Sequence, residues 1–415
     1  MRDRDLYTKL LGIEEPWYIK DVEMRLDEGL VEILIAYSKD VELVCPVCGA
    51  SAKHYDTRKR TWRHLDTMQF KTLMTAEVPR VECRQHGVKQ VPVLWAEAKS
   101  RFTAMFESLV IDWLKEASLS GVARILHMTW AEVDGIQQRA VTRGKQRREA
   151  RPLRRIGIDE TSFQKRHEYV TVIFDTERKR VLEILDGRTQ DAIEGFFWDT
   201  PLEHLQTLKS ISMDMWKPYI QATLRHVPGA ANKIAFDRFH VAKHLGDGVN
   251  KVRAQEHLEL SKAGKKTLAG TRFLWLQNPE NMSPKRRGNF EQLRRTSLRV
   301  ARAWSMKETA RSLWSANSRS EAKSAWLRLA DWMSRSRLQP MVKVARTIRR
   351  HLWGIVNAIT LNATNADLES VNAKIQALKK RACGFRNRDR FRDSILFHCG
   401  DLDLYPRPAL THSIS

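Results

Sequence analysis

The middle of the chain most constrains what it can fold into. Residues 156–159, 169–174 and 180–185 are three short runs rich in β-branched and aromatic side chains, with turn residues 175–179 between the last two. Runs of this kind predict strands joined in a meander. A helix is predicted over 190–206, a fourth strand over 208–214, a helix over 218–226 and a fifth strand over 233–237. Strands that first pair locally and then alternate with helices form one mixed sheet with helices packed on it.

This is the element order of a ribonuclease H-like α/β domain, whose first and fourth strands are neighbours. Asp159 ends the predicted first strand and Asp214 the fourth, so their carboxylates can share a metal. Glu160 is expected on the opposite face, because side chains alternate along a strand. Phosphoryl transfer on nucleic acid uses two divalent ions roughly 3.5–4 Å apart, and Mg²⁺ takes hard oxygen ligands. A third acid, Glu369, lies on a predicted helix capped near Thr364, beside the apolar stripe Leu368, Val371, Ile375 and Leu378. Far more chain separates Asp214 from Glu369 than one strand and a connection need. Residues 246–360 fill that gap with helical patterning, and residues 281–350 carry 18 Lys and Arg against four acids. Its tryptophans, Trp275, Trp304, Trp314, Trp326, Trp332 and Trp353, are expected mostly in a core.

Near the N-terminus, Cys45-Pro46-Val47-Cys48 and Cys83-Arg84-Gln85-His86 form two halves of a tetrahedral Zn²⁺ site. Strand-like residues 31–37 and 72–81 suit a ribbon, too small to fold well without one structural zinc. His54 and His64 are the alternatives to His86; Cys383 and Cys399 have no partner motif. Residues 101–142 change to helical periodicity. A helix from Ser120, a turn at His127-Met128 and a second helix with a Thr129/Glu132 capping box predict a helix-turn-helix. Arg124, Thr129, Gln137 and Arg139 are its candidate DNA contacts, followed by Arg143, Arg147 and Arg148 in a basic linker.

The 72 Lys and Arg exceed the 49 Asp and Glu, giving a net charge of +23 and a pI near 10.0. Such a basic balance on a chain that can bury a core calls for a polyanionic partner, usually nucleic acid. No apolar run is long enough to cross a bilayer, and the N-terminus lacks the apolar region of a secretory signal. An odd cysteine count fits a reducing, cytoplasmic setting.

Several blocks in order carry a family resemblance: Gly157-Ile158-Asp159-Glu160-Thr161-Ser162-Phe163, Met213-Asp214-Met215-Trp216-Lys217-Pro218-Tyr219, Asp237-Arg238-Phe239-His240 and Glu369-Ser370-Val371-Asn372-Ala373-Lys374-Ile375. With the zinc and helix-turn-helix segments, the chain resembles the ISL3-family DDE transposases of bacterial insertion sequences. That resemblance implies Asp159, Asp214 and Glu369 as the triad holding two Mg²⁺ or Mn²⁺, with His240 in a supporting catalytic role and Asp237 behind it. It implies binding of terminal inverted repeats and target DNA by a homodimer or larger assembly at the bacterial nucleoid. Arg294, Arg295, Arg346, Arg349 and Arg350 become candidate backbone contacts. The expected organisation is a zinc-binding segment at 1–95, a helix-turn-helix at 96–142, a basic linker at 143–155, a catalytic domain at 156–247 and 361–400, an all-helical insertion at 248–360 and a tail at 401–415. A catalytically silent DNA-binding regulator, or another ribonuclease H-fold nuclease, are the rival readings.

Overall fold

The computed structural model describes residues 3–164, 168–296, 298–363 and 366–407. The expected cap at Thr364 and Asp367 lies outside the described side chains. The chain divides into two units: one holds residues up to Arg148 together with those from Leu402, the other Glu149–Asp401.

In the first unit, strands β1 (Trp17–Arg25), β2 (Leu30–Tyr37), β3 (Lys53–Thr67), β4 (Phe70–Cys83) and β5 (Gly87–Gln90) form a sheet in the order β1-β2-β4-β3, with β5 also on β4. The inward set of each strand is apolar: Ile33, Met74, Val78 and Val81 are fully buried. Trp17, Trp62 and Trp95 pack edge to face on them, with ring centroids 5.1 and 5.4 Å apart. Three helices follow, Ala104–Glu116, Leu119–Ile125 and Trp130–Arg147. Ser118 caps the second. Thr129 and Glu132 form the expected capping box on the third.

That third helix does not stop at residue 142. It continues to Arg147, so Arg143 and Arg147 are helical rather than part of a linker. The segment expected to be a tail packs back on it: Leu404 is buried, Arg143 donates to its carbonyl, and Arg147 donates to the Tyr405 carbonyl at 2.6 Å. Two cationic side chains in a helix interior need acceptors, and the returning backbone supplies them.

In the second unit, β6 (Arg155–Gln164), β7 (Glu168–Asp175), β8 (Arg180–Asp186), β9 (Ser210–Met213) and β10 (Ile234–Phe236) form a sheet ordered β10-β9-β6-β7-β8. The meander β6-β7-β8 is antiparallel, while β9 and β10 join it in parallel. This is the ribonuclease H-like order expected. Two details differ. The strand bearing Asp159 runs on to Gln164 because β7 pairs with it throughout, so Asp159 lies mid-strand. The helix expected over 190–206 breaks into Gln190–Asp199 and Leu202–Gln206 around Pro201, whose ring cannot continue a helix interior.

The helical insertion has no sharp boundary at 248. The helix Arg238–Lys262 passes through that point unbroken, and the helix Gln339–Thr360 returns to the sheet. There Asn357 donates to the carbonyls of Ala231 and Ile234, both at 2.8 Å. One apolar core therefore runs from Ile156 and Phe236 to Trp275, Trp304 and Trp326. Of the insertion tryptophans, only Trp332 is exposed.

Candidate active site and metal centre

The zinc ligands converge. Cys45, Cys48, Cys83 and His86 have all their ligand atoms within 4.8 Å of one another. Cys48 Sγ lies 3.8 Å from Cys83 Sγ, and His86 Nδ1 lies 3.7 and 3.6 Å from Cys45 and Cys83 Sγ. A tetrahedral zinc with Zn–S about 2.3 Å and Zn–N about 2.0 Å has ligand-to-ligand edges of about 3.5–3.8 Å, so the spacing fits the ion. Backbone N–H groups of Gln85 and His86 pull the Cys83 thiol down to about 6, close to the thiolate that zinc binds. At Cys48 the Ala50 backbone hydrogen bond pulls downward, but desolvation and the Cys45 and Cys83 sulfurs together move the thiol upward. The alternatives are engaged elsewhere: His54 is exposed and bonded to Thr57, and buried His64 pairs with Thr103.

In the second unit, β9 pairs with β6 from Arg155↔Ser210 to Gly157↔Ser212 and no further. Continuing that register two residues sets Asp159 beside Asp214, just where β9 has ended. Both line a cavity of about 620 Å³. Burial raises both carboxyls, Asp214 to about 6, with the charges of Glu160 and Asp159 adding to the shift. Clustered, partly desolvated carboxylates of raised pKa are a donor set that favours a bound hard cation.

Glu160 lines the same cavity, contrary to the expectation that it would face away. The alternation itself holds: Asp159 meets Asn372, while Glu160 accepts from Tyr219 at 3.3 Å. Because β9 stops short, the edge of β6 is open and both side chains reach the space beyond it. One face of the Arg238–Lys262 helix forms another wall with His240, Lys243, His244 and Asp247. Asp237 caps that helix through the Phe239 N–H and sits 3.9 Å from His240.

Glu369 lies on the helix Ala366–Arg381, exposed, and is not among the residues lining the cavity. Its helix is anchored over β6: Asn372, one turn on, donates to Asp159, and Gln376 donates to Thr161. Asn372, Glu160 and Arg188 were not singled out as site residues. Only their tertiary placement draws them to the carboxylates.

Several proposed DNA contacts are corrected. Gln137 is buried in the helix core. Arg143 is also buried, held by Glu97 and Glu107, and Arg139 is paired with Glu107. Arg147 is engaged by Tyr405 and Asp403. These side chains fold the helical bundle, because Glu107 is itself almost fully buried and needs cationic partners. Arg124 and Thr129 are exposed, as are Arg294, Arg295, Arg346, Arg349 and Arg350; Arg349 pairs with Asp331 and Arg294 with Glu291.

The profile of a transposase family, ISL3, matches residues 156–395. The chain belongs to the ISL3 family of transposases. Two further profiles match this ISL3 transposase, a zinc-finger of transposase IS204/IS1001/IS1096/IS1165 at residues 42–86 and a helix-turn-helix domain of transposase family ISL3 at 90–141. Curated relatives include the transposase for insertion sequence element IS1557 of Mycobacterium tuberculosis, 29% identical over 418 residues and 93% of both chains. The transposase for insertion sequence element IS1001 of Bordetella parapertussis is 23% identical over 396 residues, 94% of this chain and 97% of its own. As an ISL3 transposase the chain is a DNA-processing enzyme with DNA-binding modules and a structural zinc site. No helix among the described residues is long and apolar enough to cross a membrane.

Proposed function

We propose that this transposase binds the terminal inverted repeats of its insertion sequence and catalyses DNA strand cleavage and strand transfer with two Mg²⁺ or Mn²⁺ held by Asp159, Asp214 and Glu369. The observation that carries this reading is the shared cavity of Asp159 and Asp214, with both carboxyls raised by burial. Bound divalent metal supplies Lewis-acid stabilisation of the attacking and leaving oxygens. The chain's own residues do the rest. Asp237 caps its helix, whose first two turns present His240 and Lys243 to the phosphate as donors. Exposed Arg124 and Thr129 meet the repeat, while Arg294, Arg295, Arg346, Arg349 and Arg350 follow the DNA backbone across the insertion. Two ends must be processed together, so the working form is a homodimer or larger assembly at the bacterial nucleoid.

The test is strand cleavage of labelled duplexes from the ends of the element, in Mg²⁺ or Mn²⁺. Nicks at the element boundary are expected, and Asp159→Asn, Asp214→Asn and Glu369→Gln should each abolish them while retaining binding. Cleavage persisting in any one of the three would remove that residue from the triad. Binding without cleavage by the natural chain would favour a silent regulator.

A further inference from the structure

We propose that Arg188 is a phosphate clamp of the active site, gripping the DNA backbone beside the phosphodiester that is cut. This inference rests on the function proposed above and assigns a residue that it leaves unused.

Arg188 stands at the rim of the Asp159–Asp214 cavity, in the turn between β8 and the helix Gln190–Asp199. The turn is fixed. Gly187 takes φ +72°, a left-handed conformation suited to glycine. Its N–H donates to the Tyr169 carbonyl at 3.1 Å, and its carbonyl accepts from the Thr171 hydroxyl at 2.7 Å. These bonds lay the Arg188 guanidinium 5.0 Å from the Tyr169 ring centroid. The Trp216 ring centroid lies 4.9 Å from the same guanidinium, and its indole N–H donates to the Arg188 carbonyl at 3.2 Å. The backbone N–H of Trp216 meanwhile donates to the Asp214 carboxylate at 2.9 Å. The clasp and the carboxylate are thus set by one short loop.

A surface arginine ordinarily loses rotamer freedom when it grips a ligand. Here two aromatic faces have already ordered the guanidinium, in the orientation that cation–π attraction favours. Its charge partner is Glu160, at 3.4 Å, and the side chain stays 44% exposed. One ion pair uses a minority of the five N–H donors of a guanidinium. The remaining donors suit the bidentate grip that arginine makes on phosphate. The cavity walls carry four acids, Asp159, Glu160, Asp214 and Asp247, beside His240, Lys243 and His244 from the Arg238–Lys262 helix. A polyanionic strand approaching these carboxylates needs a fixed cation at the rim, and Arg188 occupies that place.

The experiment measures binding and cleavage of end duplexes by the full chain, by Arg188→Met and by Arg188→Lys. Methionine keeps a packed stem between the rings without charge; lysine keeps charge without the planar fork. Loss of one phosphate contact should lower the slope of log affinity against log salt by about one for Arg188→Met and leave it near the natural value for Arg188→Lys. Neutral methylphosphonate placed singly at each phosphate around the cut should weaken the natural chain at one position. At that position alone, Arg188→Met should be insensitive. An unchanged salt slope and an unchanged methylphosphonate profile in Arg188→Met would overturn the clamp, even if cleavage fell, because Arg188 would then only brace Glu160 and the loop. If the natural chain cuts end duplexes and Arg188→Met cuts them equally well, the clamp alone fails. If the natural chain neither binds nor cuts them, the function proposed above fails with it.

Discussion

Asn372 Nδ2 donates a 2.7 Å hydrogen bond to Oδ2 of Asp159, 213 residues earlier in the chain. The bond fixes one carboxylate oxygen and docks the Ala366–Arg381 helix, with Glu369, over β6. Leu368 reinforces the docking: it is fully buried and packs over Gly157, where an added Cβ would lie 3.4 Å from it, in ordinary van der Waals contact.

With Asp159 holding metal as proposed, Asn372→Ala should lower cleavage about ten- to a hundredfold, the usual effect of removing a hydrogen-bonded partner of a metal ligand. The concentration of Mg²⁺ needed for half-maximal rate should rise. Cleavage measured across a metal titration checks this, and an unchanged metal requirement would mean that Asn372 only packs the helix.

The zinc cluster predicts one zinc per chain by metal analysis, lost in Cys48→Ser. Removing it with a chelator should lower the melting temperature of the N-terminal unit by at least about 5 °C, because the metal joins the two ends of the β3–β4 ribbon. Equal melting with and without chelator would contradict a structural role.

Arginine residues of the helical bundle should divide into two groups. Arg143→Ala leaves Glu107, 1% exposed, without one of its cationic partners, and should destabilise the protein by about 3–5 kcal/mol. Arg124 is exposed and donates to the Ser120 carbonyl of its own helix, so Arg124→Ala should leave stability unchanged and weaken DNA binding. Denaturant unfolding and band-shift titration of both variants read the difference.

His64 supplies a pH dependence. Burial pushes its pKa down to about 4, so the folded chain holds the neutral ring and the unfolded chain binds the proton first. Its contribution is full above about pH 6.5 and is lost as pH falls toward 4, up to about 3 kcal/mol over the window. His64→Asn cannot protonate and should show a smaller loss of stability between pH 7 and pH 4.5. Parallel pH profiles for the two chains would contradict this account.

Much of the site was legible before any coordinates. The short runs of β-branched and apolar residues in β6 to β10 produced the sheet, because buried strands in an α/β unit need apolar side chains whatever their neighbours. The spacing of Cys45, Cys48, Cys83 and His86 carried its own chemistry. Arg139, Arg143 and Arg147 misled because a basic run reads alike whether solvated or neutralised. Their partners Glu97, Glu107 and Asp403 are distant in sequence, and one lies in the segment expected to be a tail.

By itself the sequence determined the element order, the zinc ligands and the two aspartates on and just after strands, since each depends on local periodicity or on a short spacing. Only the tertiary structure decided that Glu160 shares the cavity of Asp159, that Asn372 holds Asp159, and that Arg188 is clasped between Tyr169 and Trp216. Those relations follow from where β9 ends and how helices cross the sheet. Such packing choices depend on contacts between segments far apart in the chain, which no local pattern encodes.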